Sequence, residues 1–194
     1  WYICMLPNRI FLTGVPGSRW SGIAQVIEQL KGMNTSDRTS DREYRHSAYS
    51  GHVGAYFGPG MEFEPQLDAD YIDQAWAQPD GCKLVKSHEW SEILPELHEE
   101  FPDDWIMLVH RQHKPSLEWW LEAGGYSISY PNYSAYENMQ DIIKRQNQAI
   151  MRWVFTKSCK LERFTPFWVE REFDQSIDFD ASPWEDVFVT LWKP

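Results

Sequence analysis

Three short apolar runs, RIFLTGV (9–15), CKLVKS (82–87) and WIMLV (105–109), alternate along this chain with segments of helical period. Runs of that length, rich in β-formers and bounded by Gly, Pro or charge, read as buried strands. Strand followed by helix, three times over, favours a parallel sheet with helices packed on both faces. The expected fold is therefore α/β: a three-layer α/β/α single domain over 1–194, with a central parallel sheet.

The helices can be placed from spacing and caps. Ile23, Val26, Ile27 and Leu30 fall at i, i+3, i+4 and i+7, and Gly32 stands where a helix would stop. Further helices are predicted over 69–78, closed by the turn PDG, and over 89–100, interrupted by Pro95. Another begins near Pro115 and ends at Gly124. Ser134 and Glu137 have capping-box spacing ahead of Met139, Ile143, Ile150 and Trp153, which predicts a long amphipathic helix over 134–155. Residues 164–170 look like a strand. SPWEDVFVTLW (182–192) mixes a helix start with β-branched residues and stays open. Between the first helix and residue 66 the chain is polar and glycine-rich without period, a long loop or lid over 33–66.

Composition narrows the partners. The 194 residues suffice to bury a real core. A net charge of -11 argues against a broad nucleic-acid surface, so any bound anion needs a local pocket. Three cysteines, Cys4, Cys82 and Cys159, lack paired metal-ligand spacing and suit a reducing compartment. No apolar run reaches the length of a membrane span, and the first residues lack a leader pattern, so a cytoplasmic location without membrane contact is expected. Nothing in the sequence speaks to oligomeric state.

In an open parallel sheet, ligands bind beyond the carboxyl ends of the strands. Those ends offer GVPGSRWS, KSHEW and HRQHK. The first has the outline of a phosphate loop leading into a helix N-terminus, where backbone N–H groups and the dipole favour an anion. It departs from the Walker pattern, since Arg19 stands at the second glycine and Trp20 at the lysine. A plain tight turn remains an equal reading of the loop alone. In the second, Lys86 and His88 are two apart at a strand end, which by strand period points both to one side. One can neutralise an anion while the other moves a proton, although a structural histidine and a solvated lysine fit as well. In the third, the fork of Arg111 suits a phosphate or one of the carboxylates of HEEFPDD. His110 and His113 have loose metal-ligand spacing without a third ligand, so no metal is expected.

Taken together, the three stretches resemble the sulfotransferases that use 3′-phosphoadenosine 5′-phosphosulfate (PAPS). The family's P-[KR]-S-G-[TS] is approached by Pro16, Gly17, Ser18, Arg19 and Trp20 or Ser21, and its K-[TS]-H is matched in full by Lys86, Ser87 and His88. Its apolar strand ending in R-N-P-x-D with a later serine is approached by Arg111, with Gln112 and His113 in place of Asn and Pro, and by Ser116 as a candidate serine. The resemblance covers residues 9 to about 122. It implies PAPS as co-substrate, 3′-phosphoadenosine 5′-phosphate (PAP) as product, and a hydroxyl acceptor. Loop 16–21 would cradle the 5′-phosphate, Lys86 would steady the leaving oxygen, His88 would act as general base, and Arg111 would hold the 3′-phosphate. Gly17 stands where the family has a basic residue and Arg19 where it has glycine, so Arg19 is the candidate to restore that charge. The family's C-terminal basic-glycine segment is not found.

Aromatic residues Trp20, Tyr56, Phe57, Trp119 and Trp120 are candidates to line the pocket of a small-molecule or carbohydrate acceptor. Two rival readings stand beside this one: a kinase-like phosphotransferase, and a nucleotide-binding module that has lost catalysis.

Overall fold

A computed structural model describes residues 6–37, 66–122 and 138–194, together with the backbone of 44–45, 55–56 and 136–137. Most of the expected lid at 33–66, the proposed cap at Ser134, the stop at Gly124, and Cys4 lie outside the described residues.

Six strands form one mixed, mostly parallel sheet. They are β1 (Arg9–Gly14), β2 (Met33–Asn34), β5 (Cys82–Lys86), β6 (Trp105–Arg111), β7 (Glu162–Arg163) and β8 (Val187–Trp192), in the order β2-β5-β1-β6-β8-β7. The first four in that order run parallel; β8 pairs antiparallel with β6, and β7 antiparallel with β8. The expectation of a parallel sheet thus holds for its centre and fails at one edge. Two further short strands, β3 (Tyr44–Arg45) and β4 (Ala55–Tyr56), pair with each other.

Alternation along the strands divides the core into two layers. Phe11, Val85, Ile106 and Leu108 face one side, where α2 (Ala69–Asp73), α3 (Leu94–Glu100), α4 (His113–Glu122) and α5 (Tyr136–Thr156) supply Ile72, Leu97, Trp120, Ile143 and Trp153. Ile10, Leu12, Leu84, Met107 and Val109 face the other, where α1 (Trp20–Ile27) and α6 (Pro166–Phe173) supply Ile23, Ile27, Trp168 and Phe173. Ile23 and Ile27 are fully buried, each contributing about 1.5–3 kcal/mol. This is a three-layer α/β/α arrangement.

Several expected boundaries move for local reasons. Pro95 does not interrupt a helix: a 3-10 turn at Glu89–Glu92 precedes α3, and Pro95 sits in the first turn of α3, where its missing N–H costs nothing. Residues 164–170 are not a strand. Extended Thr165 caps α6 by accepting from the Trp168 N–H at 3.1 Å, and Pro166 opens the helix, so cap chemistry outweighs the aromatic run. SPWEDVFVTLW resolves into a 3-10 turn at Ser182–Trp184 and then β8. The helix expected over 69–78 ends at Asp73, and α4 starts at His113, two residues before Pro115.

Candidate functional site

β1 lies between β5 and β6 and is in register with both, pairing Leu12 with Lys86 and Gly14 with Val109. The chain leaving each of these strands therefore emerges at one edge of the sheet. Contacts tie the three exits together. The Ser87 N–H donates to the Leu12 carbonyl at 3.1 Å, the Thr13 hydroxyl donates to the His88 carbonyl at 3.2 Å, and Arg111 Nη1 donates to the Gly17 carbonyl at 3.0 Å.

The loop's shape depends on its glycines. Gly17 has φ +78°, and a Cβ placed there would fall 1.8 Å from the Ser116 carbonyl oxygen in α4. The loop backbone and α4 touch at this point, which excludes any side chain, the family's basic one included. At Gly14 a Cβ would meet Ser18 Oγ at 2.7 Å and Val109 Cβ at 2.9 Å. Ser18 is fully buried, its N–H donates to the Val15 carbonyl at 3.0 Å, and its hydroxyl has no partner among the described residues. Pro16, Trp20 and Ser21 are half-buried along the same turn.

Arg19, in the left-handed region at φ 64°, opens α1 without a side-chain cap. Its guanidinium stacks 4.0 Å over the Trp119 ring and donates to the Pro183 carbonyl at 2.7 Å. Burial and the nearby Arg111 charge pull its ionisation down, while Asp186 and Glu122 oppose them. Two guanidinium groups thus stand close together at the loop. Arg111 is closed by Asp186, which accepts from Nε and Nη2, both at 2.8 Å. Ser116 is buried, and its hydroxyl donates to the Arg111 carbonyl at 3.3 Å; Asn147 on α5 donates to the same carbonyl at 2.7 Å.

Lys86 departs from expectation. Leu84 and Lys86 share the strand face turned toward α1, and the Lys86 ammonium is bonded to Glu28 at 2.6 Å, the two side chains being 1% and 5% exposed. Glu28 follows the last turn of α1, eight residues and so about 12 Å along the axis from Trp20. The ammonium is held at that end of the helix and not at the phosphate loop. The expected common direction of Lys86 and His88 also lapses, because His88 is past the strand, with helical angles φ −67° and ψ −25°. Its carbonyl accepts from Thr13 and, at 2.7 Å, from Ser91. Its ring is buried, and burial pushes its pKa down to about 3, so at neutral pH the imidazole is uncharged.

The aromatic candidates do not share a pocket. Trp20 packs with the α1 and α6 layer, Trp120 is core in the opposite layer, and Trp119 lies under Arg19. Tyr56's side chain and Phe57 lie outside the described residues. No group of three or more His, Cys, Asp or Glu side chains among the described residues could hold a metal ion.

No family model, curated protein or solved structure matches the chain. The site therefore stands on its own geometry. Three of its groups were not singled out from sequence: Glu28, Asp186 and Asn147. Asn147 left a trace, as a polar residue on the apolar face between Ile143 and Ile150. Glu28 and Asp186 left none, since the sheet brings each to a cation far away in the chain.

Proposed function

We propose that the protein transfers a sulfuryl group from PAPS to a hydroxyl acceptor at the carboxyl edge of the sheet. The observation that carries this reading is the convergence at that edge of loop 14–20, Ser87–His88 and Arg111, joined by three hydrogen bonds. Sulfuryl transfer, like phosphoryl transfer, asks chiefly for alignment and for charge stabilisation on the moving group and leaving oxygen. The loop backbone and the α1 N-terminus would take the 5′-phosphate, with the buried Ser18 hydroxyl and Arg19 beside it. Arg111 would take the 3′-phosphate by exchanging Asp186, a half-exposed carboxylate, for a stronger anion. His88 is neutral, but burial that holds its pKa at about 3 makes the ring a weak base, so it would take the acceptor's proton only if ligand binding raised that pKa. Lys86 would reach the leaving oxygen only by releasing Glu28.

That last condition favours a second reading, a nucleotide-binding module without transfer. Both expected cations already have carboxylate partners within the chain, and the Lys86–Glu28 pair is buried. Calorimetric titration with PAP and with ATP tests nucleotide choice. Binding of PAP in preference to ATP agrees with either reading. Binding of ATP with no detectable PAP affinity overturns the sulfotransferase reading and leaves a phosphotransferase or a module for another nucleotide.

A further inference from the structure

Among the described residues, a groove of about 540 Å³ at the carboxyl end of β6 has no part in the reading above. His110, His113, Lys114, Asn147 and Gln148 line it, with Met151 as an apolar wall. Asn147 is 1% exposed, and its amide nitrogen makes two contacts: to the Arg111 carbonyl at 2.7 Å and to His113 Nδ1 at 3.0 Å. A backbone carbonyl only accepts, so the group facing it must be the NH2 of Asn147. The second N–H of that amide then faces Nδ1, which must accept. In a neutral imidazole the proton consequently sits on Nε2. Asn147 Oδ1 is buried without a hydrogen-bond partner among the described residues, so turning the amide over would only set two carbonyl oxygens against each other.

We propose that Asn147 locks His113 as an Nε2–H donor and that this groove binds a compact ligand carrying a carboxylate. The carboxylate accepts from His113 and lies near the Lys114 ammonium, while the ligand's apolar body rests on Met151. Lys114 has a weak competitor in Glu118, at 3.7 Å on an exposed surface. The same lock makes His113 a poor metal ligand, because ligation through Nε2 needs the lone pair that its proton occupies. His110 adds no charge of its own, since burial and the neighbouring His113 hold its ionisation below the ordinary range. None of this depends on the sulfotransferase reading: the groove shares with that site the Arg111 carbonyl and Asn147, and no step of that reading uses either.

The test uses the full chain with 15N-labelled histidine at pH 8, where an ordinary imidazole is neutral. Long-range 1H–15N spectra report the His113 tautomer, with His113→Phe identifying its signals. Benzoate is the probe, and benzylamine and Zn²⁺ are the contrasts. The expected result is the Nε2–H tautomer, with benzoate shifts at His113. Benzoate affinity should fall about tenfold or more in His113→Phe, and less in His113→Gln, which keeps a donor. An Nδ1–H tautomer, equal benzoate affinity in His113→Phe, benzylamine binding as tightly as benzoate, or Zn²⁺ captured at His113 would each overturn the proposal.

Discussion

Gly17 holds a backbone that other residues could take only by moving α4. Its positive φ strains any L side chain, and the Ser116 carbonyl occupies the place of a Cβ. Gly17→Ala should lower stability by about 2 kcal/mol or more in urea unfolding, or displace the loop from α4; an unchanged midpoint and an unchanged fold would contradict the described contact. The sequence showed Gly17 as a missing charge, whereas the structure shows a steric requirement, because α4 does not appear beside the loop until the chain is folded. His88 carries a pH signature. Its folded pKa of about 3 lies below the usual 6.5, so the unfolded chain binds a proton that the native state refuses. This group therefore subtracts stability as pH falls from 6.5 to about 3, by at most about 1.4 kcal/mol per pH unit. Stability curves measured from pH 7 to pH 4 should be steeper for the wild-type chain than for His88→Gln. Parallel curves would mean that His88 is solvated.

α1 is joined to β5 by a buried charge pair as well as by apolar packing. Glu28 at its end and Lys86 on the strand lie nearly out of water, so removing one partner takes an opposite charge away from the other where water cannot replace it. Glu28→Ala should cost about 3–5 kcal/mol by denaturant unfolding, and joining it with Lys86→Met should recover most of the loss. A cost below about 1 kcal/mol would place the pair in solvent. Apolar period exposed this helix and its strand in the sequence, but not the link between them. The direction of Lys86 follows from strand alternation once Leu84 is known to face α1. The K-S-H motif alone left that face undetermined. α6 shows the converse: Phe164, Phe167, Trp168 and Val169 suggest a strand by their side chains, and the cap at Thr165 with Pro166 after it makes a helix.

Taken over the folded chain, the part legible in advance was the part built from neighbours in sequence. Three strand-and-helix units, their parallel pairing and the shared edge all followed from local period and from the alternation of strand with helix. The antiparallel β8 did not, because a strand added by the C-terminal segment, with no helical crossover before it, has no local marker of direction. That segment supplies Asp186 to Arg111 and Pro183 to Arg19, so it decides what an entering anion must displace. With a net charge of -11, the chain offers an anion little long-range attraction, and recognition has to come from this local cluster. The sharpest measurement is a calorimetric cycle in which wild-type protein and Arg111→Ala are each titrated with PAP and with adenosine 5′-monophosphate. If Arg111 holds the 3′-phosphate, loss of that phosphate weakens binding to the wild-type chain about tenfold or more and leaves the variant nearly unaffected. Equal losses in both proteins, or no PAP binding to the wild-type chain, would contradict a sulfonucleotide site at this edge.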